Sequence, residues 1–204
     1  MKNVTMIKSN DHRWDSRFFV IAGCFMLINT LLLWLRHYFD YQLSILWPAI
    51  PAITGLASSV FGLLKLYPRV AIHSPMVAKS GASLALLALT SLSLVALWIL
   101  VVSVFGEGMQ KQQSQWLLVL IATFMVAMIF AFLTTAIAFL RFGTQQKVGY
   151  LLTVPLVMWF VMLVVGAIKG MERGSSLDFY TNPAIGAAFL AIGIALKVNR
   201  NPES

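Results

Sequence analysis

Charge, cysteine and histidine are what this chain has least of. Only 11% of its 204 residues are charged, while 59% are hydrophobic; a soluble domain carries about 25% charged residues. That deficit excludes an ordinary soluble fold and points to an integral membrane protein. The one cysteine, Cys24, lies inside an apolar run, so no internal disulfide and no cysteine-based metal motif is available. The three histidines, His12, His37 and His73, form no cluster. There is no Walker loop, no dinucleotide glycine fingerprint and no Gly-x-Ser-x-Gly elbow. No polar stretch is long enough to fold by itself, so one domain is expected.

What remains is six apolar stretches with the charges between them. They run from Phe18 to Leu35, Trp47 to Leu64, Ser80 to Phe105, Trp116 to Leu140, Val148 to Ile168 and Tyr180 to Leu196. About 20 residues of helix cross a hydrocarbon core of about 30 Å. A helix is also the way a single segment satisfies its own backbone there. The fold class read from this is all-α, a polytopic transmembrane helical bundle of six spans. Five spans plus an interfacial sixth segment is the alternative, because Asn182-Pro183 reads as an N-cap followed by proline at the first helical position, which leaves the last span short. The chain divides into an N-terminal tail over 1–17, a transmembrane domain over 18–196 and a C-terminal tail over 197–204. Lys2, Lys8, Arg13 and Arg17 precede the first run as in a signal peptide. The run is long for that role, and Trp34, Arg36 and His37 follow it in place of a small-residue cleavage site, so it reads as a retained span.

The bases are sorted by side. Eleven fall on the side of the tails: Lys2, Lys8, Arg13, Arg17, Lys65, Arg69, Lys79, Arg141, Lys147, Lys197 and Arg200. Four, Arg36, Lys111, Lys169 and Arg173, fall on the other. The positive-inside rule therefore predicts cytoplasmic termini in a cell membrane. The four outer bases are balanced by Asp40, Glu107, Glu172 and Asp178, so the formal net charge of +8 belongs to the cytoplasmic face. Such a face suits anionic lipid headgroups or an acidic partner. Nucleic acid is not expected, because the bases are spread over separate segments with no binding motif. Trp14, Trp34, Trp47, Tyr67, Trp116 and Tyr150 mark the interfaces, where amphipathic rings settle.

Small residues predict how the helices pack. In the second span Pro48, Pro51, Gly55, Ser58, Ser59 and Gly62 share a face, and close backbone approach drives association in lipid. The third span carries a broken stripe of Ser80, Ser83, Thr90 and Ser91, interrupted by Leu87, and it too is expected inside the bundle. In the sixth, alanines occupy one face, while Gly186 and Gly193 share the opposite one. Asn29 is the amide expected inside a span, as a polar contact between helices.

No Asp, Glu, Lys, Arg or His falls within the spans so bounded. This counts against a proton-coupled transporter, a pump or an intramembrane aspartyl protease. No catalytic, cofactor or metal site is expected. The nearest approach to a soft-metal site is the set Met26, Met125, Met128, Met158, Met162 and Cys24, and methionine is also an ordinary filler of apolar gaps.

Two segments carry a resemblance: Gly62-Leu-Leu-Lys-Leu-Tyr67-Pro68-Arg69 at the end of a span, and Phe142-Gly143 through Lys147-Val-Gly149 to Pro155 and Trp159. They resemble uncharacterised small multi-span membrane proteins of halophilic archaea. The resemblance implies a six-span bundle and carries no activity or site residues with it. The chain departs from that family in being basic.

Three functions are compatible with this pattern. The first is a non-enzymatic structural or accessory component of a membrane assembly, with a membrane-protein partner or a second copy. The second is a small permease or channel for a neutral or weakly polar solute, using Asn29 and Ser83. The third, an interfacial lipid enzyme, would rest on His37, Asp40, Glu107 and Glu172.

Overall fold

The computed structural model describes residues 3–39, 46–105, 114–142, 145–169 and 177–198. They form six α-helices: α1 (Asn3–Tyr38), α2 (Leu46–His73), α3 (Pro75–Phe105), α4 (Ser114–Phe142), α5 (Gln146–Lys169) and α6 (Asp178–Val198). All six are long and apolar enough to cross a membrane. The sixth has 21 residues, so the six-span bundle is the observed form and the five-span alternative falls away.

The helices stand antiparallel in chain order and close into a ring, because α6 packs against α1. Both the start of α1 and the end of α6 thus lie at one end of the bundle, the terminal end; the other is the distal end. The helices overrun their apolar cores. α1 begins at Asn3, so helix extends through most of the stretch read as a tail. The polar segment between Lys65 and Lys79 is helical on both sides of Ser74. α2 runs on to His73, and Ser74 alone separates it from α3. Ser74 N–H donates to the Val70 carbonyl at 2.9 Å, and the Ser74 carbonyl accepts from Ala78 N–H at 3.0 Å. Pro75 opens α3, where a missing N–H removes no helical bond.

α1 is held most closely. It lies between α2 and α6, and glycine lets backbone meet backbone on both sides. A Cβ at Gly23 would fall 2.7 Å from the Gly186 carbonyl oxygen, and one at Gly193 2.9 Å from the Ser16 carbonyl oxygen. On the other side a Cβ at Gly55 would come 3.1 Å from the Ala22 carbonyl oxygen, and one at Gly62 2.8 Å from the Phe19 ring. The expected face of α2 is thus buried, with Ser58 half-buried at its edge.

The expected face of α3 is corrected. Ser80, Ser83 and Thr90 are exposed on the outer surface, and of that stripe Ser91 alone is buried. The helix turns inward through Ala78, Gly81, Ala85, Ala88 and Leu92 instead. The outward hydroxyls need no partner helix. Ser80 Oγ donates to the Val77 carbonyl at 3.0 Å and Thr90 Oγ1 to the Leu87 carbonyl at 2.8 Å, so each is satisfied within its own helix. The alanine face of α6 is not a packing surface as a whole either: Ala187 is exposed and Ala184, Ala191 and Ala195 are half-buried, while Gly186 and Gly193 face α1.

Candidate functional site

The terminal half of the bundle is filled. Phe19, Phe132 and Phe189 are fully buried, and Trp159 is 4% exposed. Their rings form a chain across α1, α6, α4 and α5. Centroids lie 6.1 Å apart for Phe19 and Phe189, 5.9 Å for Phe132 and Phe189, and 5.2 Å for Phe132 and Trp159. Nearer the terminal end Asp15, 2% exposed, accepts from Arg69 Nη2 at 2.8 Å. Arg69 Nη1 reaches Gln145 Oε1 at 3.4 Å, so one guanidinium joins α1, α2 and the turn before α5.

The distal half is hollow. A partly open cavity of about 400 Å³ lies there, with residues from all six helices on its wall. Most of the wall is apolar. Its polar side chains are Asn29 from α1 and Asp178 and Asn182 from α6. Asp178 and Asn182 are four residues apart and share a helix face. Trp159 belongs both to the wall and to the aromatic chain, so the rings form the floor. The volume falls in the range of about 300–1,000 Å³ usual for small-molecule sites.

Asn29, expected as a polar contact between helices, is buried and stands on the cavity wall. Asp178 and Asn182 were not expected there. The Asn182-Pro183 cap does not exist, because α6 starts at Asp178, five residues before Pro183. The Leu177 carbonyl takes the N–H groups of Tyr180 and Thr181, each at 2.9 Å. Pro183 therefore sits inside the helix, where it has no N–H to give the Phe179 carbonyl one turn back. Trp34 Nε1 of α1 donates to that carbonyl instead, at 3.4 Å. The extra turn carries Asp178 to the cavity and makes Asn182 a second buried amide beside Asn29.

The methionines separate. Met26, Met125 and Met162 reach the cavity wall, Met128 is fully buried in the core and Cys24 is exposed. Met162 Sδ accepts from Thr181 Oγ1 at 3.1 Å. His37 packs against Phe179, with ring centroids 4.9 Å apart and planes tilted by 50°. Asp40, Glu107 and Glu172 lie outside the described residues, as do Lys111 and Arg173. Ser83 and Thr90 lie away from the cavity; Gly55, Gly62, Gly186 and Gly193 lie at helix contacts, while Ser59 is buried and donates to the Leu56 carbonyl of its own helix and Ser58 is half-buried.

No family model, curated protein or solved structure matches the chain. The fold and the cavity define a class, a six-helix polytopic membrane bundle hollow at one end.

Proposed function

We propose that this protein is a non-enzymatic small-solute permease of the cell membrane, and that the distal cavity is its solute site. One observation supports this above the rest: the cavity of about 400 Å³ draws wall residues from all six helices and sets three polar side chains in an otherwise apolar lining. With cytoplasmic termini, as the charge distribution predicts, the cavity belongs to the outer half. The aromatic chain and the Asp15–Arg69 pair then close the cytoplasmic half.

Flux tests this. Proteoliposomes are loaded with glycerol, acetamide or ethanolamine, and release is followed by stopped-flow light scattering. At least one solute is expected to leave severalfold faster than from empty liposomes. That advantage is lost in Ala52→Phe, which fills the cavity, and in Asn29→Leu, and is kept in Ser83→Leu. Release no faster than from empty liposomes for every solute overturns the reading.

An accessory role in a membrane assembly has one observation of its own, the outward stripe of Ser80, Ser83 and Thr90 on α3. Small polar side chains on a lipid-facing surface suit a second helix packed against them. A protein that co-purifies in mild detergent, and is released by Ser83→Leu, would favour that role.

A further inference from the structure

The distal cavity carries charge of one sign. Asp178 is the ionisable side chain on its wall, and among the described residues no lysine, arginine or histidine lines it. Asp178 Oδ1 is buried and has no hydrogen-bond partner among the described residues. The contrast with Asp15 is direct. At the terminal end the chain supplies its own cation, Arg69, at 2.8 Å. At the distal end no described residue supplies one to the buried oxygen. Asp178 lines the cavity, and a carboxylate in such apolar surroundings is costly unless a counter-charge meets it. In membrane proteins such groups mark the places where charged ligands are received.

The rest of the wall says what kind of cation fits. Phe124 and Trp159 offer aromatic rings, which attract cations. Met26, Met125 and Met162 offer polarizable thioethers that adapt to an irregular apolar body. The side-chain carbonyls of Asn29 and Asn182 can accept from N–H groups. A small inorganic cation would leave most of this apolar surface unused, and an anion would be repelled by Asp178.

We propose that the distal cavity binds a small lipophilic amine in its protonated form, with Asp178 as counter-ion and Asn29 and Asn182 accepting its other N–H bonds. This rests on the solute-site reading above and names the chemical class of the solute.

The test compares two probes with the same apolar body, 2-phenylethylamine and 2-phenylethanol, by calorimetry and thermal unfolding of the full chain in nanodiscs. The amine is expected to bind the unaltered protein at least tenfold more tightly than the alcohol. That preference disappears in Asp178→Asn and survives in part in Asp178→Glu, while Ala52→Phe abolishes binding of both. Equal affinity for the two probes overturns the proposal without needing any variant to fold. So does a preference for the amine that persists in Asp178→Asn. If both probes bind alike and Ala52→Phe still removes them, the solute site stands and only the amine class falls. If neither probe binds the unaltered protein, the amine class falls, and the flux result then decides separately whether the cavity is a solute site.

Discussion

Asp15 and Arg69 meet at 2.8 Å across α1 and α2, and the carboxylate is 2% exposed. Removing Arg69 takes its cation from a buried carboxylate, and breaking a buried pair costs about 3–5 kcal/mol. Arg69→Ala is therefore expected to lower the unfolding temperature in detergent sharply. Arg69→Met together with Asp15→Leu should be milder, because a buried pair replaced by apolar side chains of similar size is often tolerated. Equal losses in the single and the double variant would show that the pair contributes nothing as a pair.

The α1–α6 seam rests on missing side chains. In Gly23→Ala the new methyl meets the Gly186 carbonyl oxygen at 2.7 Å, and backbone cannot step aside. A loss of about 1–3 kcal/mol is expected. Gly81→Ala is the milder case: its nearest neighbour is the Thr134 hydroxyl at 3.0 Å, a side-chain tip bonded to the Phe130 and Ala131 carbonyls that has to give by only a few tenths of an ångström. Thermal unfolding of the two variants should rank them in that order.

Trp34 and Pro183 are coupled through a carbonyl that neither owns. Trp34→Phe removes the donor to Phe179 and should cost about 0.5–1.5 kcal/mol. In a Pro183→Ala background the helix can supply its own N–H, and the cost of Trp34→Phe should shrink. A double-mutant cycle measures this directly.

Ser83→Leu and Thr90→Leu are expected to leave folding intact, with stability within about 0.5 kcal/mol of the unaltered chain. Both side chains already face outward. A loss of several kcal/mol would place that surface in a contact.

The six spans were legible because a bilayer imposes length and polarity together. Their ends were less so. Beyond the hydrocarbon, charge no longer forbids helix, and α2 continues through Lys65 and Arg69 to His73. On α3 two stripes of small residues lay nearly side by side. The hydroxyl stripe looked like the contact, but Ser80 and Thr90 satisfy themselves along the helix, and the alanine stripe of Ala78, Ala85 and Ala88 packs better. Of the cavity, Asn29 stood out by its isolation in an apolar run, though as a contact between helices rather than as a wall residue. Asp178 and Asn182 did not, because Asn-Pro is a strong local signal for a helix start. It was overridden by a backbone carbonyl at Leu177 and an indole from α1. The hollow itself has no local signal at all, since it is assembled from six helices.

The ring closes through α1 against α6, the first and the last of the helices. A chain leaving the ribosome makes Gly23 early and must wait for Gly186. Until then one flank of α1, shaped for a carbonyl at van der Waals distance, lacks the helix it packs against in the folded bundle. α1 is thus a placeholder during biogenesis. The cavity floor, which needs Phe189, and the wall, which needs Asp178 and Asn182, come into being together, when the final helix enters the membrane and locks the first in place.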